Sequence, residues 1–524
     1  MRIRDVFHPY LFAIYAVIGI YQTNANEIPP EQVIRPILVL IAASVLINYL
    51  LFLYFKNQHR SALMTSLLIF WGIYFGHVYR FASNFQQFRD IPQARTVALA
   101  LWTIALGSFA LPNVWRVFTN PALLTKALNI SSAALLIVPL IILSMVVRET
   151  AIQKKIMEQR QAGQDINLTA GLDNDPDIYY IIVDGYGRAD MLSKYYEYDN
   201  SSLTNYLNDK GFYVAENSQS NYMMTHLSLS SSLNFEYLDD LQDDFGKSAN
   251  RGPDSYMIAN NRLREYLSAR GYQFVNIESV AMFVRLRDAD IYLSHSSSPF
   301  NELELLLLTT SVADKFIERW FPDVPLVNYQ THRSLLEYQF EALAESANIE
   351  GKKFVFTHIW APHPPFVFDV NGNPIDPDRP YFGGDANAFF GGDKEYIDGY
   401  TGEITHLNTL IEDAINSILE HSKTPPIIII QADHGPGLHA SFVNAEDTCY
   451  EERFSILNAY YFPDGDYSEI SSDITPVNSF RVVLNKYFDA ELELLENKHY
   501  YVTWLQPYQY VDVTGKTNQS CVIN

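Results

Sequence analysis

Five apolar runs crowd the first 150 residues, and they limit this chain more than any other feature does. They are Pro9–Tyr21, Pro36–Phe55, Ala62–Val78, Thr96–Leu111 and Ser131–Val147. A helix that crosses a bilayer needs about 20 mostly apolar residues. The second run meets this, the third and fifth come close, and the first and fourth must borrow flanking residues. A signal peptide is the competing reading of the first run, but no clear small-residue cleavage site follows it and four more runs come after. The sequence therefore predicts a five-helix membrane domain over 1–150, a linker over 151–176 and a large domain over 177–524.

Charge divides the chain at the same place. Residues 1–150 hold 11 Lys+Arg against 5 Asp+Glu, a net of +6, and the remainder carries −29 of the total −23. So acidic a C-terminal part argues against nucleic acid as a partner. Arg2, Arg4 and the loop Lys56–Arg60 favour a cytoplasmic N-terminus. Five spans then place the C-terminal domain outside the cytoplasm. Arg35, Arg80, Arg89 and Arg95, and the basic residues after the last run, oppose that orientation, although long domains cross largely regardless of flanking charge. Only two cysteines occur, Cys449 and Cys521, and no CxxC exists. An extracytoplasmic domain allows them to pair, with two free thiols as the alternative.

From Asp177 to about Phe488, strand-like and helix-like segments alternate. Strands are predicted at Ile178–Val183, Phe274–Ile277, Lys353–His358 and Ile427–Gln431, and helices at Ser201–Lys210, Arg262–Arg270, Ser334–Ser346 and Tyr396–His421. Such alternation implies an α/β fold with a mainly parallel sheet between helices. The Pro-, Gly- and Asp-rich stretch Asp369–Asp393 reads as a long loop, and the aromatic tail around Tyr500–Tyr510 as an added edge strand.

Two strand ends carry acid. Asp184 follows Ile178–Val183, and Asp433-His434-Gly435 follows Ile427–Gln431. In open α/β sheets, sites gather beyond the carboxyl ends of strands. Carboxylate and imidazole are both good ligands for a divalent cation. Thr225 lies in the hydroxyl-rich stretch Ser220–Asn234. At a helix start, near a metal, its hydroxyl suits nucleophilic attack. An N-cap on a Ser-rich helix is an equally good reading. His358 and His363 flank a proline-stiffened loop at a third strand end, where imidazole can grip an anionic oxygen or protonate a leaving group. His439, five residues after His434, fits a ligand, an acid or a loop residue. Tyr396–Asn408 reads mainly as core packing.

Taken in order, Asp184, Thr225, the Pro362-His363-Pro364-Pro365 loop and Asp433-His434-Gly435 resemble the alkaline phosphatase superfamily. The layout resembles its membrane-anchored sulfatase-like branch, which includes lipoteichoic acid synthases and lipid A phosphoethanolamine transferases. The resemblance implies one divalent metal held by Asp184, Thr225, Asp433 and His434, with Thr225 also the nucleophile. It implies that His363 holds substrate oxygens and that His358 or His439 assists the leaving group. A single His among carboxylates favours zinc or manganese over magnesium or calcium. The expected activity is phosphoryl-ester transfer or hydrolysis on lipid-linked or cell-envelope substrates, by an integral protein of the inner or plasma membrane. There are departures. No C/S-x-P-x-R motif exists, Cys449-Tyr-Glu-Glu-Arg453 being the nearest approach. His434 stands where sulfatases carry Asn, and Asp184 where phosphoethanolamine transferases generally carry Glu. Sulfuric ester hydrolysis and an inert binding module are the alternatives. A second metal drafted from Asp369, His363 and His439 has no clear support in the spacing.

Overall fold

The computed structural model describes residues 6–521 except 26–27, 84, 86–87, 89–90, 92, 110–119, 162–174, 296–299, 322–327, 378 and 380. Residues 162–174 of the expected linker thus lie outside the described residues. Two compact units form. One comprises Met1–Gln153, Ser296–Thr331 and Pro377–Tyr381; the other comprises Lys154–His295, His332–Asp376 and Phe382–Asn524.

In the first unit all five apolar runs are helical. The helices are His8–Asn24, Ile34–Phe55, Gln58–Ile73 with Phe75–Ser83, Ala94–Phe109 and Pro121–Gln161. Among the described residues, Pro30–Phe55 and Pro121–Arg160 are long and apolar enough to cross a membrane. A third span exists if Gln58–Ile73 and Phe75–Ser83, bent by 49°, count as one. The first and fourth runs form helices of 17 and 16 described residues, at the low edge of what a crossing needs. Lys56 ends one helix in the left-handed region and Asn57 caps the next, its side chain accepting from His59 N and Arg60 N. This tight turn makes Ile34–Phe55 and Gln58–Ile73 antiparallel neighbours.

The second unit is built on a seven-stranded sheet. Its strands are β1 (Ile178–Val183), β2 (Tyr213–Val214), β3 (Gln273–Ile277), β4 (Ile291–Leu293), β5 (Lys353–Ile359), β6 (Ile427–Gln431) and β7 (Asn458–Tyr461), in the order β2-β7-β6-β1-β5-β3-β4. β6, β1, β5, β3 and β4 run parallel, and β7 pairs antiparallel with β6. The α/β class with a mainly parallel sheet is therefore as expected. β1, β5 and β6 are buried at every position, which explains why β1 and most of β6 read as continuous apolar runs rather than alternating ones. The aromatic tail does not extend this sheet. It folds on itself as a separate hairpin, β8 (Tyr500–Thr503) and β9 (Gln506–Asp512).

Register sets the site. Ile182 of β1 pairs with His358 of β5 on one side and with Gln431 of β6 on the other. Three carboxyl ends thus finish level, with Asp184 in the middle. Cys449 and Cys521 form a disulfide, Cα–Cα 5.5 Å, across 72 residues of sequence.

Candidate metal centre

Asp184, Asp433 and His434 converge, all buried, with ligand atoms within 4.8 Å of one another. His434 Nδ1 lies 3.0 Å from the Gly435 carbonyl, which requires an Nδ1 proton and leaves the Nε2 lone pair bare. That lone pair faces Asp184 Oδ1 at 3.4 Å, Asp433 Oδ2 at 3.3 Å and Thr225 Oγ1 at 3.3 Å. Both carboxylate oxygens are buried without a hydrogen-bond partner. Two bare anionic oxygens and a nitrogen lone pair aimed at one point are costly to bury unless a cation sits between them. The donor set of two carboxylates, an imidazole and a hydroxyl fits a divalent metal.

The electrostatics agree. Burial alone raises the Asp184 carboxyl, but the imidazoles of His363, His358 and His434 outweigh it and hold it below the usual carboxylate range. Burial, reinforced by Arg453, pushes His434 below its ordinary value, which favours the neutral ligand form. Asp433 keeps its other oxygen for the loop, Oδ1 accepting from Gly185 N at 3.1 Å and His434 N at 3.0 Å.

Thr225 is the first residue of the helix Thr225–Asn234 and Met224 its cap, with no side-chain capping bond. The threonine hydroxyl therefore points at His434 instead of capping its helix, and it is only partly buried. The neighbouring hydroxyls are occupied: Ser228 donates to Tyr222 O and Ser230 to Asp254 O.

The other sequence candidates take distinct places. His358 is buried within β5, its Nε2 3.3 Å from Asp184 Oδ2 and its Nδ1 3.2 Å from Ser279 Oγ. Trp360 and the Pro364 carbonyl both crowd Nδ1 of His363, so its free edge is Nε2, 4.0 Å from Asp385 Oδ2. His439 stands apart from the cluster, Nδ1 3.0 Å from Glu452 Oε2. Asp369 is a turn residue, accepting from Asn371 N and Asn373 N. The structure thus gives Asp369 no place in a second metal site.

Burial lowers His439, but Glu452 outweighs it and raises the imidazole above its ordinary value. A raised folded-state pKa stabilises below the unfolded value of about 6.5, and the contribution fades as pH climbs through the folded value. The difference in Tm between the wild type and His439→Gln is expected to be largest near pH 6 and to shrink by about 2 °C toward pH 9. A pH-independent difference would remove the Glu452 contact as its cause.

Sequence reasoning missed the frame behind these residues. Arg453 is fully buried and donates to Met223 O, Gly435 O and Asp385 Oδ2 at 3.0, 3.1 and 2.7 Å. It thereby ties the residues before Thr225 to the loop after His434. Gly435 is required there, since a Cβ would lie 2.2 Å from the Glu452 carbonyl. Tyr396 donates to Asp385 Oδ1 and accepts from Gly437 N. Tyr400 donates to Gly185 O and accepts from Gly187 N. The Tyr396–Asn408 stretch therefore buttresses the loops after Asp184 and His434 as well as packing the core. A visible signal was Glu452-Arg453, a charged pair abutting the apolar Phe454-Ser-Ile-Leu457. Breaking a buried ion pair from one side costs about 3–5 kcal/mol. Arg453→Met is expected to lose that much, and Asp385→Asn in the same chain to restore part of it. Urea unfolding checks this, and a loss under about 1 kcal/mol would place the pair outside the stability of the site.

Solved structures are similar to this chain at low identity. The C-terminal periplasmic domain of EcEptC from Escherichia coli is 12% identical, with TM-score 0.42 over 67% of this chain and 94% of that one. The integral membrane protein lipooligosaccharide phosphoethanolamine transferase A from Neisseria meningitidis is 12% identical, with TM-score 0.37 over 92% of this chain and 94% of that one. BT1596, a 2-O GAG sulfatase, is 15% identical, with TM-score 0.38 over 66% of this chain and 76% of that one. No family model and no curated protein matches.

Proposed function

We propose that this chain is a membrane-anchored, metal-dependent phosphoryl-ester transferase or hydrolase whose nucleophile is Thr225. The carrying observation is the partly exposed Thr225 Oγ1, 3.3 Å from His434 Nε2 at the mouth of a buried Asp184–Asp433–His434 group. Asp184, Asp433, His434 and Thr225 would hold the metal, zinc or manganese by donor type. When bound, it supplies positive charge at the reacting phosphoryl group and lowers the pKa of the threonine hydroxyl.

The residues divide the remaining work. Thr225 Oγ1 forms a bond to phosphorus as the bond to the leaving oxygen breaks. An alcohol or water then attacks the phosphothreonine and returns the free hydroxyl. His363, through its free Nε2 edge, holds a non-bridging oxygen. The leaving oxygen takes up a proton from solvent; His439, paired with Glu452 apart from the cluster, has no part in the step. His358 is buried against Asp184 and orients that carboxylate rather than meeting substrate.

The disulfide supports an extracytoplasmic catalytic domain, since such bonds persist in oxidising compartments. The apolar helices support an inner- or plasma-membrane protein working on lipid-linked or envelope phosphate esters. The test is turnover by the full-length protein of bis-p-nitrophenyl phosphate, p-nitrophenyl phosphate and p-nitrophenyl sulfate, with and without chelator. Chelator-sensitive release from a phosphate ester is the expected result. Release from the sulfate alone would make the protein a sulfuric ester hydrolase, and no release with no bound metal would make it a binding module.

A further inference from the structure

Ser296–Thr331 interrupts the sheet unit in sequence and belongs to the helical unit. Its described part begins with the helix Glu302–Thr309, opened by a capping box between Asn301 and Glu304. Leu303, Leu305 and Leu307 are buried. The segment is strapped down by backbone bonds: Gly76 N donates to Thr310 O at 2.8 Å, and Val312 N donates to Gly72 O at 2.8 Å. A Cβ at Gly76 would lie 2.2 Å from Thr310 O, so the approach is open only to glycine. Asn301 Nδ2 donates to Gln32 O at 3.1 Å, and Arg35–Glu304 and Arg95–Asp314 are ion pairs.

These contacts fix the level of the strap. Arg35 begins the helix Ile34–Phe55, and Gly72 lies in the last turn of Gln58–Ile73. Because the tight Lys56–Asn57 turn joins the opposite ends, Arg35 and Gly72 lie at the same end of the pair. The strap meets both, so it lies at the Pro30 end of the candidate span Pro30–Phe55.

The strap then continues as the short helix Asp314–Trp320. Phe316, Trp320 and Phe321 are 58%, 64% and 54% exposed, which for three large rings together is unusual on a surface facing water. They form one cluster, with Phe316 6.4 Å from Trp320 and 6.1 Å from Phe321 between ring centroids. Arg319 reaches over the Trp320 ring. Phe81 and Phe85, just beyond Gly76, are also exposed, 5.6 Å apart. Trp at the level of a span's end marks the membrane–water interface, and Phe beside it belongs to the apolar face that interfacial helices sink into the headgroup boundary.

We propose that Asn301–Phe321 is a membrane-interface anchor whose Phe316–Trp320–Phe321 cluster seats in the lipid headgroup layer around the helices. The occupant is lipid, with the rings in the ester region and Arg319 toward the phosphates. The anchor gives the chain a hold on the bilayer surface in addition to its spans. It rests on the reading that those helices cross a bilayer and not on the metal–threonine chemistry.

Because Cys449 and Cys521 are bonded to each other, a single introduced cysteine can be labelled alone. Trp320→Cys, Leu46→Cys and Lys423→Cys are each given a nitroxide in the full-length protein in phosphatidylcholine–phosphatidylglycerol vesicles. Collision with oxygen, which favours lipid, is compared with collision with a polar nickel chelate. The label at 320 is expected to favour oxygen severalfold more than that at 423 and less than that at 46. A label at 320 matching 423 would overturn the anchor, as would one shielded from both reagents, which means protein covers the rings. A water-exposed label at 46 would overturn the span reading and the anchor with it.

Discussion

Thr225→Ala is expected to lower kcat for phosphate ester turnover by about 10⁴-fold or more, the scale of loss when a catalytic nucleophile is removed. Metal content is expected to fall little, because the two carboxylates and the imidazole remain. Met224, not Thr225, occupies the cap position, so the hydroxyl has no structural duty at its helix start. It faces His434 instead. Loss of the methyl and hydroxyl from a partly exposed position costs little stability, so folding and expression serve as internal controls. Thr225→Ser, which keeps the oxygen, is expected to retain measurable turnover. Activity of the alanine variant within tenfold of wild type would sink the assignment. The nearby serines are poor substitutes, since Ser228 and Ser230 are buried and bonded to backbone carbonyls.

Asp433→Asn is expected to weaken metal binding by at least about 100-fold, beyond the 10–100-fold typical of removing an outer partner of a ligand. The same change should act in the opposite sense on the metal-free protein. Without a cation, Asp184 Oδ1 and Asp433 Oδ2 are bare acceptors around one nitrogen lone pair, and removing a charge relieves their repulsion. Metal bound only to the folded state stabilises it by RT ln(1 + [L]/Kd), so metal raises the wild-type Tm. The variant should therefore show a higher Tm than wild type in chelator and a lower one in saturating zinc. Parallel shifts in both conditions would mean that Asp433 supports the loop without holding a metal.

Much of the site was legible because of where it sits. β1 and β6 are buried on both faces, so β1 and most of β6 read as continuous apolar runs, with acid close behind. The parallel register of neighbouring strands then places those ends together. Thr225 was legible only as an ambiguity, since a cap and a nucleophile share the same residue type and helix position. Other features had little signal. β2 and β4 are two and three residues long, too short for alternation to register. β7 runs antiparallel, and nothing local in Asn458–Tyr461 encodes direction. The contribution of Arg453 depends on Met223 and Asp385, 230 and 68 residues away. Its role could not be read locally because its partners are set by the fold. The number of spans had little signal too: among the described residues two helices, or three, are long and apolar enough to cross a membrane, and composition does not say how far a helix extends across it.

The strap has a consequence in time. Residues of the two units alternate along the chain, at 153–154, 295–296, 331–332, 376–377 and 381–382. β1 to β4 are made before the strap, and β5, β6 and β7 after it. During synthesis the first helices are therefore complete when Leu303, Leu305 and Leu307 emerge, and these leucines find a ready surface. Without those helices the leucines have no cover while the two halves of the sheet are still seeking each other, a setting for aggregation. A fragment beginning at residue 160 reproduces that situation. Obtaining the sheet unit by itself calls for excising 296–331 and bridging His295 to His332, not for a single cut after the last membrane helix.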